Sequence, residues 1–220
     1  MPLLLHEKIK EGGEIGIWEI NENLDFFQNH MILYPEEEKE TLNLSDRKKI
    51  EWMASRFLMH IMSGRRIRGA CLKDSYGKPY LSGSRFHISM SHSGNRAAVI
   101  ASPYKSGIDI QKRVEKITRI KHKFCSESEL ADLPEGREIE FLHYIWGAKE
   151  SIYKAYGRRA LDFKENMGLK FHTILDDGGI AHGLMDKNNR EENYTVIAKA
   201  MDEFYLVYAV LNKEENEDDN

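Results

Sequence analysis

The stretch Trp146-Gly147-Ala148-Lys149-Glu150-Ser151-Ile152-Tyr153-Lys154 reads as helix, expected over about 137–156 and stopping at Gly157. Residues four apart share a helix face, so Trp146, Glu150 and Lys154 form one stripe. Lys149 lies about 100° round from Glu150, on a neighbouring face. A carboxylate is a ligand for a hard cation such as Mg²⁺, and a lysine neutralises phosphate oxygens. The same spacing also describes an ordinary i,i+4 surface pair, which adds about 0.2–0.5 kcal/mol to a helix.

Upstream, Gly107-Ile108-Asp109-Ile110-Gln111 reads as a short strand. Alternation puts Ile108 and Ile110 on one face and Asp109 and Gln111 on the other, so a buried apolar face implies a polar face turned to a cleft. Asp and Gln both offer oxygen ligands to Mg²⁺, and the pattern equally fits a half-exposed strand with nothing bound. Further upstream, His87-Ile88-Ser89-Met90-Ser91-His92-Ser93-Gly94 reads as a strand running into a turn, before the apolar strand Ala97–Ala101. Hydroxyls, a histidine and a glycine at a strand end contact phosphate through side chains and backbone N–H groups. Nucleophilic serine chemistry is disfavoured, since no G-x-S-x-G elbow is present and neighbouring side chains on a strand point to opposite faces. Tyr76-Gly77-Lys78-Pro79-Tyr80 marks a turn entering an extended segment and presents Lys78 on a loop.

Taken in order, Gly77-Lys78-Pro79, Ser91-His92-Ser93, Gly107-Ile108-Asp109 and Trp146-x-x-Lys149-Glu150-x-x-x-Lys154 resemble the motifs of the 4'-phosphopantetheinyl transferases. The set is most similar to the longer, surfactin-synthetase-activating type, and Arg47 and Arg56 on an upstream helix are similar to that family's first half. The resemblance implies an α+β fold of two similar α/β halves related by a pseudo-twofold axis. The halves would be 1–104 and 105–212, with the active site in the cleft between them and the metal site on the second. It also implies a monomer, because one chain holds both halves.

The implied reaction is attack by a serine of an acyl or peptidyl carrier protein on the β-phosphate of coenzyme A. Phosphopantetheine moves to the serine and 3',5'-adenosine diphosphate leaves. This needs a metal on the pyrophosphate, positive groups for developing charge and a base for the hydroxyl. On the matching positions, Asp109 and Glu150 would be the Mg²⁺ carboxylates, with Glu150 also the base. Lys154 and His92 would act at the phosphates, Lys78, Pro79 and Ser91 would hold the nucleotide, and Arg47 would take the 3'-phosphate. Lys149 would lend supporting charge. Gln111 stands where many relatives have Glu; as a metal ligand it keeps one oxygen and loses a charge.

The 220 residues carry 32 Lys and Arg against 36 Asp and Glu, a net charge of −4. That balance is too mild for nucleic-acid or membrane binding, and the length permits a real core. Met1-Pro2-Leu3-Leu4-Leu5-His6 is too short an apolar run for a signal peptide or membrane span. Cys71 and Cys125 lack metal or redox spacing, which reads as two reduced thiols in a cytoplasmic protein. Pro35-Glu36-Glu37-Glu38-Lys39-Glu40 is acidic, leaving Lys39, Arg47, Lys48 and Lys49 to meet a nucleotide. Gly64-Arg65-Arg66-Ile67-Arg68 lacks interleaved aromatics and reads as a solvated loop, with an acidic carrier protein as its alternative partner. The acidic, polar run Lys213–Asn220 predicts a disordered tail.

Strands are expected at Ile15–Ile20 and near 79–82, 86–91, 96–101, 106–110, 168–175, 179–185, 192–200 and 203–211. A long helix is expected over Ser45–Met62, where Ile50, Met53, Ala54, Phe57, Leu58, Ile61 and Met62 follow the helical period. Arg47 lies at its start, where backbone N–H groups favour anions. A helix near 114–122 and another opened by the capping box Ser126-Glu127-Ser128-Glu129 precede the Glu150 helix. Each half thus offers a long helix and several strands, with no clear sequence repeat. An active transferase is one reading. A non-catalytic module binding coenzyme A or a carrier protein is the second, and Gln111 is the feature in its favour. A Mg²⁺-dependent phosphohydrolase, needing a positioned water in place of the carrier serine, is a third.

Overall fold

The computed structural model describes residues 2–158 and 160–213. In chain order they form β1 (Leu3–Lys8), β2 (Glu14–Glu19), α1 (Leu24–His30), α2 (Pro35–Thr41), α3 (Asp46–Ser63), β3 (Cys71–Lys73), β4 (Pro79–Leu81), β5 (His87–Ser93) and β6 (Arg96–Ser102). Then come β7 (Ser106–Lys112), α4 (Ile117–Ile120), a 3-10 turn at Lys121–Lys123, α5 (Glu127–Ala131), α6 (Glu138–Tyr156), β8 (Met167–Leu175), β9 (Gly178–Lys187), β10 (Arg190–Met201) and β11 (Phe204–Leu211).

The strands build two antiparallel sheets, ordered β1-β2-β6-β5-β4-β3 and β7-β11-β10-β9-β8. Without the edge strand β1 the two orders match. The first reads 2-6-5-4-3 with α3 between β2 and β3; the second reads 7-11-10-9-8 with α6 between β7 and β8. Both long helices stop at a left-handed glycine, Gly64 and Gly157. The architecture is α+β, two similar halves, and the repeat lies in the connections.

Equivalent strands of the halves face each other. Ile15 and Ile17 of β2 and Ala98 and Ile100 of β6 pack with Ile108 and Ile110 of β7 and Leu206, Tyr208 and Val210 of β11. Burying one such isoleucine is worth roughly 1.5–3 kcal/mol, so a continuous apolar layer joins the halves. On the outer faces, α3 packs Met53, Ala54 and Leu58 against Trp18, Ile88 and Val99. Likewise α6 packs Tyr144, Ala148 and Ile152 against Val196, Ala198 and Val207. Two glycines let α6 approach β7 and β11 closely. A Cβ on Gly107 would lie 1.9 Å from the Ser151 carbonyl oxygen, and one on Gly147 would lie 2.7 Å from Val207 Cγ2 of β11.

Some stretches differ from their sequence pattern. The N-terminal apolar run is the strand β1, with alternating burial. The elements α1, α2 and β3 are too short to show a period. The helix expected near 114–122 is the four-residue α4 followed by the 3-10 turn. Of the expected tail, 214–220 lies outside the described residues. Among the described residues no helix is long and apolar enough to cross a membrane.

The basic stretch before Gly69 is also not uniformly solvated. Arg65 and Arg66 are exposed, but Arg68 is buried against the fully buried Glu37 of the acidic α2. Arg68 Nη1 donates to Glu37 Oε1 at 2.8 Å and Nη2 donates to Oε2. The N–H groups of Cys71 and Tyr34 complete the carboxylate's partners, at 3.0 Å each. Burial alone pushes the Glu37 carboxyl up, but these donors outweigh it and hold it below its ordinary 4.5. A depressed folded pKa contributes stability present above the unfolded value and lost as pH falls through the folded one. Arg68→Met is therefore expected to cost about 3–5 kcal/mol in urea unfolding at neutral pH, since it strands a buried carboxylate. The difference from wild type should shrink as the pH is lowered below 4.5; a difference that persists unchanged into acid would show the pair is not ionic.

Candidate active site

β7 is an edge strand of its sheet. Alternation on β5 sends Ile88 and Met90 into the α3 core and Ser89, Ser91 and Ser93 toward β7. Ser89 Oγ accepts from the Ile108 N–H at 3.2 Å and Ser93 Oγ from the Lys112 N–H at 3.0 Å. Ser91 Oγ donates to Asp109 Oδ1 at 2.8 Å. The same oxygen accepts from Lys154 Nζ at 2.7 Å, and Lys154 also donates to the Ile108 carbonyl at 2.9 Å. Asp109, Ser91 and Lys154 thus meet at one point, brought by β7, β5 and α6.

Glu150 stands one turn before Lys154. Burial lifts its carboxyl above the ordinary 4.5; Lys154 opposes the rise and the charge of Asp109 adds to it. A cation placed between two such carboxylates favours the charged form of both. Mg²⁺ is commonly held by one or two carboxylates together with substrate phosphates and waters. Among the described residues no three or more His, Cys, Asp or Glu side chains gather around one point. The donor set therefore fits a hard cation shared with an anionic ligand, and does not fit a metal caged by protein alone.

Two expected site residues are engaged elsewhere. Gln111 Nε2 donates to the His143 carbonyl at 2.8 Å, and its Oε1 lies 2.9 Å from His143 Nδ1. Both ends of the amide are occupied, so Gln111 is not placed as a metal ligand. Lys149 is fully buried, and its ammonium donates to Glu129 Oε2 and the Phe124 carbonyl, both at 2.7 Å. It braces α5 against α6 and does not line a nucleotide site. The neighbouring face, about 100° round from Glu150, is in the fold an inward one.

His92, on the opposite face of β5 from Ser91, points to α3, with Nε2 3.2 Å from Glu51 Oε2. Desolvation lowers its pKa from the ordinary 6.5, and Glu51 opposes the fall. The separation of Ser91 from His92 leaves no serine–histidine couple. His92 and Ser91 line a cavity of ≈ 370 Å³ with Lys48, Trp52 and Arg56. Arg56 is buried with its guanidinium 3.6 Å above the Trp52 ring, and its Nε is buried without a hydrogen-bond partner among the described residues. Arg47 is not part of this lining; it is exposed and pairs with Glu51 at 3.2 Å.

Lys78 and Pro79 line a second cavity, of ≈ 330 Å³, with Tyr76, Lys105, Tyr156, Arg158 and Arg190. The Lys78 ammonium donates to the Ala155 carbonyl at the end of α6. Burial, aided by Lys105, lowers its pKa to about 8. Lys105, Arg158 and Arg190 carry no local motif; only the fold brings them around one space.

A family model for the 4'-phosphopantetheinyl transferase superfamily matches residues 105–208. That stretch includes Asp109, Glu150 and Lys154. A similar protein is the 4'-phosphopantetheinyl transferase gsp of Aneurinibacillus migulanus, 26% identical over 136 residues, 60% of this chain and 54% of that relative. The alignment thus spans about half of the relative's length. Over residues 105–208 the chain is thus similar to the 4'-phosphopantetheinyl transferase superfamily.

Proposed function

We propose that this chain transfers 4'-phosphopantetheine from coenzyme A to a serine of an acyl or peptidyl carrier protein and releases 3',5'-adenosine diphosphate. The observation that carries the reading is the meeting of Asp109, Ser91 and Lys154 beside Glu150, with one cation-lined cavity reaching Ser91 and another reaching the end of α6. Lys78, Pro79 and Tyr76 hold the nucleotide. Lys48 and the buried Arg56, in place of Arg47, take an outlying phosphate. His92 serves the phosphates as a hydrogen-bond donor.

Asp109 and Glu150 would hold Mg²⁺, which when bound supplies polarisation of the pyrophosphate oxygens. Lys154, anchored on the Ile108 carbonyl, places positive charge where phosphate oxygens accumulate negative charge. Glu150, its carboxyl raised by burial, accepts the serine proton as the serine oxygen bonds to phosphorus and the bond to the departing diphosphate breaks. Two carboxylates suffice for Mg²⁺ with substrate phosphates. The engagement of Gln111 by His143 thus weakens the case for a non-catalytic module. The same reading takes the protein to be cytoplasmic and monomeric, and its carriers to be those of fatty-acid, polyketide or nonribosomal-peptide synthesis.

An apo carrier protein incubated with the chain, coenzyme A and Mg²⁺ is expected to gain one phosphopantetheine by intact mass, and a chelator should prevent it. Glu150→Ala is expected to lower the rate by about 10²–10⁴ without changing thermal unfolding; near-normal transfer would remove Glu150 from the base role. Lys78 is charged below about 8 and neutral above it. A bound phosphate favours the charged form, so calorimetric affinity for coenzyme A should fall above that pH, by up to about tenfold per unit. Lys78→Met should flatten the dependence, and an unaltered profile would place the titration elsewhere.

A further inference from the structure

Gln111 lies two residues beyond Asp109 on β7, and His143 lies about two helical turns before Glu150 on α6. We propose that Gln111, acting through His143, is a positioning residue that sets the spacing of Asp109 and Glu150 without touching the metal. What those two carboxylates do rests on the transfer reading above.

The contacts form a closed set. Gln111 bonds His143 twice, through the backbone carbonyl and through Nδ1. His143 Nε2 lies 3.1 Å from the Val114 N and 3.2 Å from the Val114 carbonyl oxygen, so that contact fits either role. Gln111 fixes the other nitrogen: with its amide N–H given to the His143 carbonyl, only Oε1 faces Nδ1, and Nδ1 donates to it. The imidazole stacks on Tyr205, ring centroids 4.8 Å apart, and Tyr205 is the β11 residue paired with Gln111. Gly147 makes room for the amide, because a Cβ there would lie 2.8 Å from Gln111 Nε2. His143 is almost fully buried, so no water substitutes for either bond.

An amide is the group this place requires. It gives an N–H to the helix carbonyl and an oxygen to the imidazole N–H. A carboxylate of the same length has no N–H to give and sets a charged oxygen against the carbonyl. Gln111 is thus not a depleted metal ligand but the tie between the strand carrying Asp109 and the helix carrying Glu150.

Three variants test this, Gln111→Glu, His143→Leu and His143→Asn, with Mn²⁺ affinity of the coenzyme A complex followed by electron paramagnetic resonance beside the transfer rate. Partners that orient metal ligands typically contribute 10–100-fold to affinity or activity, so Gln111→Glu and His143→Leu should each weaken Mn²⁺ and lower kcat by about tenfold. His143→Asn keeps an N–H near the Nδ1 position and should restore most of both. Tighter Mn²⁺ binding by Gln111→Glu would overturn the proposal by showing position 111 to be a ligand. Unchanged Mn²⁺ binding in His143→Leu would overturn it too, and either variant decides if the other fails to fold. A wild type that binds Mn²⁺, modifies no carrier and loses the metal in both variants would sink the transfer reading and leave the positioning pair standing. A wild type that binds no Mn²⁺ would overturn both.

Discussion

The seating of β7 is the constraint on which the rest of this structure depends. One edge pairs with β11, and the other has no strand partner among the described residues but meets the hydroxyls of Ser89, Ser91 and Ser93. One face contributes Ile108 and Ile110 to the layer between the halves. At Gly107 the backbone lies against α6 with no space for a side chain. A strand held on so many sides has no freedom to slide. Asp109 therefore sits where Ser91 of one half and Lys154 of the other both reach it.

The two halves share a plan but not a chemistry. Gly16-Ile17-Trp18 on β2 occupies the place of Gly107-Ile108-Asp109 on β7. In each, the glycine meets the long helix and the isoleucine enters the shared core. The third residue turns toward that helix. Trp18 packs edge-on against Phe57, with ring centroids 5.4 Å apart, whereas Asp109 receives Lys154. The first half uses the position for apolar packing and the second for charge, so at this repeated place only the second half carries a carboxylate. The first half contributes by its neighbouring surface, through Ser91, His92 and the Arg56 cavity.

Charges inside the molecule divide by whether they are satisfied. Glu37 with Arg68, and Glu129 with Lys149, are buried and fully hydrogen-bonded. Glu129 also accepts from the N–H groups of Ser126 and Leu169, so one carboxylate caps α5 and ties it to β8 and α6. Removing one member of such a pair leaves an uncompensated charge, which makes these pairs structural. Glu150 and Lys78 differ: burial shifts both away from their ordinary ionisation. Shifts of that kind cluster where a ligand supplies the missing charge.

Periodicity alone marked most of the strands, the long helices α3 and α6, and the capping box at Ser126, because a period of two or 3.6 is a local property of the chain. Asp109, Glu150 and Lys154 were singled out by the resemblance that the order of the motifs carries, since each motif is a short local run. The elements α1, α2 and β3 stayed hidden, being too short for a period. So did the duplication, which resides in strand order. Lys149 and Gln111 were misread because a spacing gives a direction around a helix or strand and not what lies there. Glu129 and His143, distant in the chain, claimed them. The cavities that gather Lys105, Arg158 and Arg190, or Lys48, Trp52 and Arg56, were settled by tertiary structure alone. A cavity joins residues across connections whose geometry no local pattern encodes, and burial then decides which of their charges are free to meet a ligand.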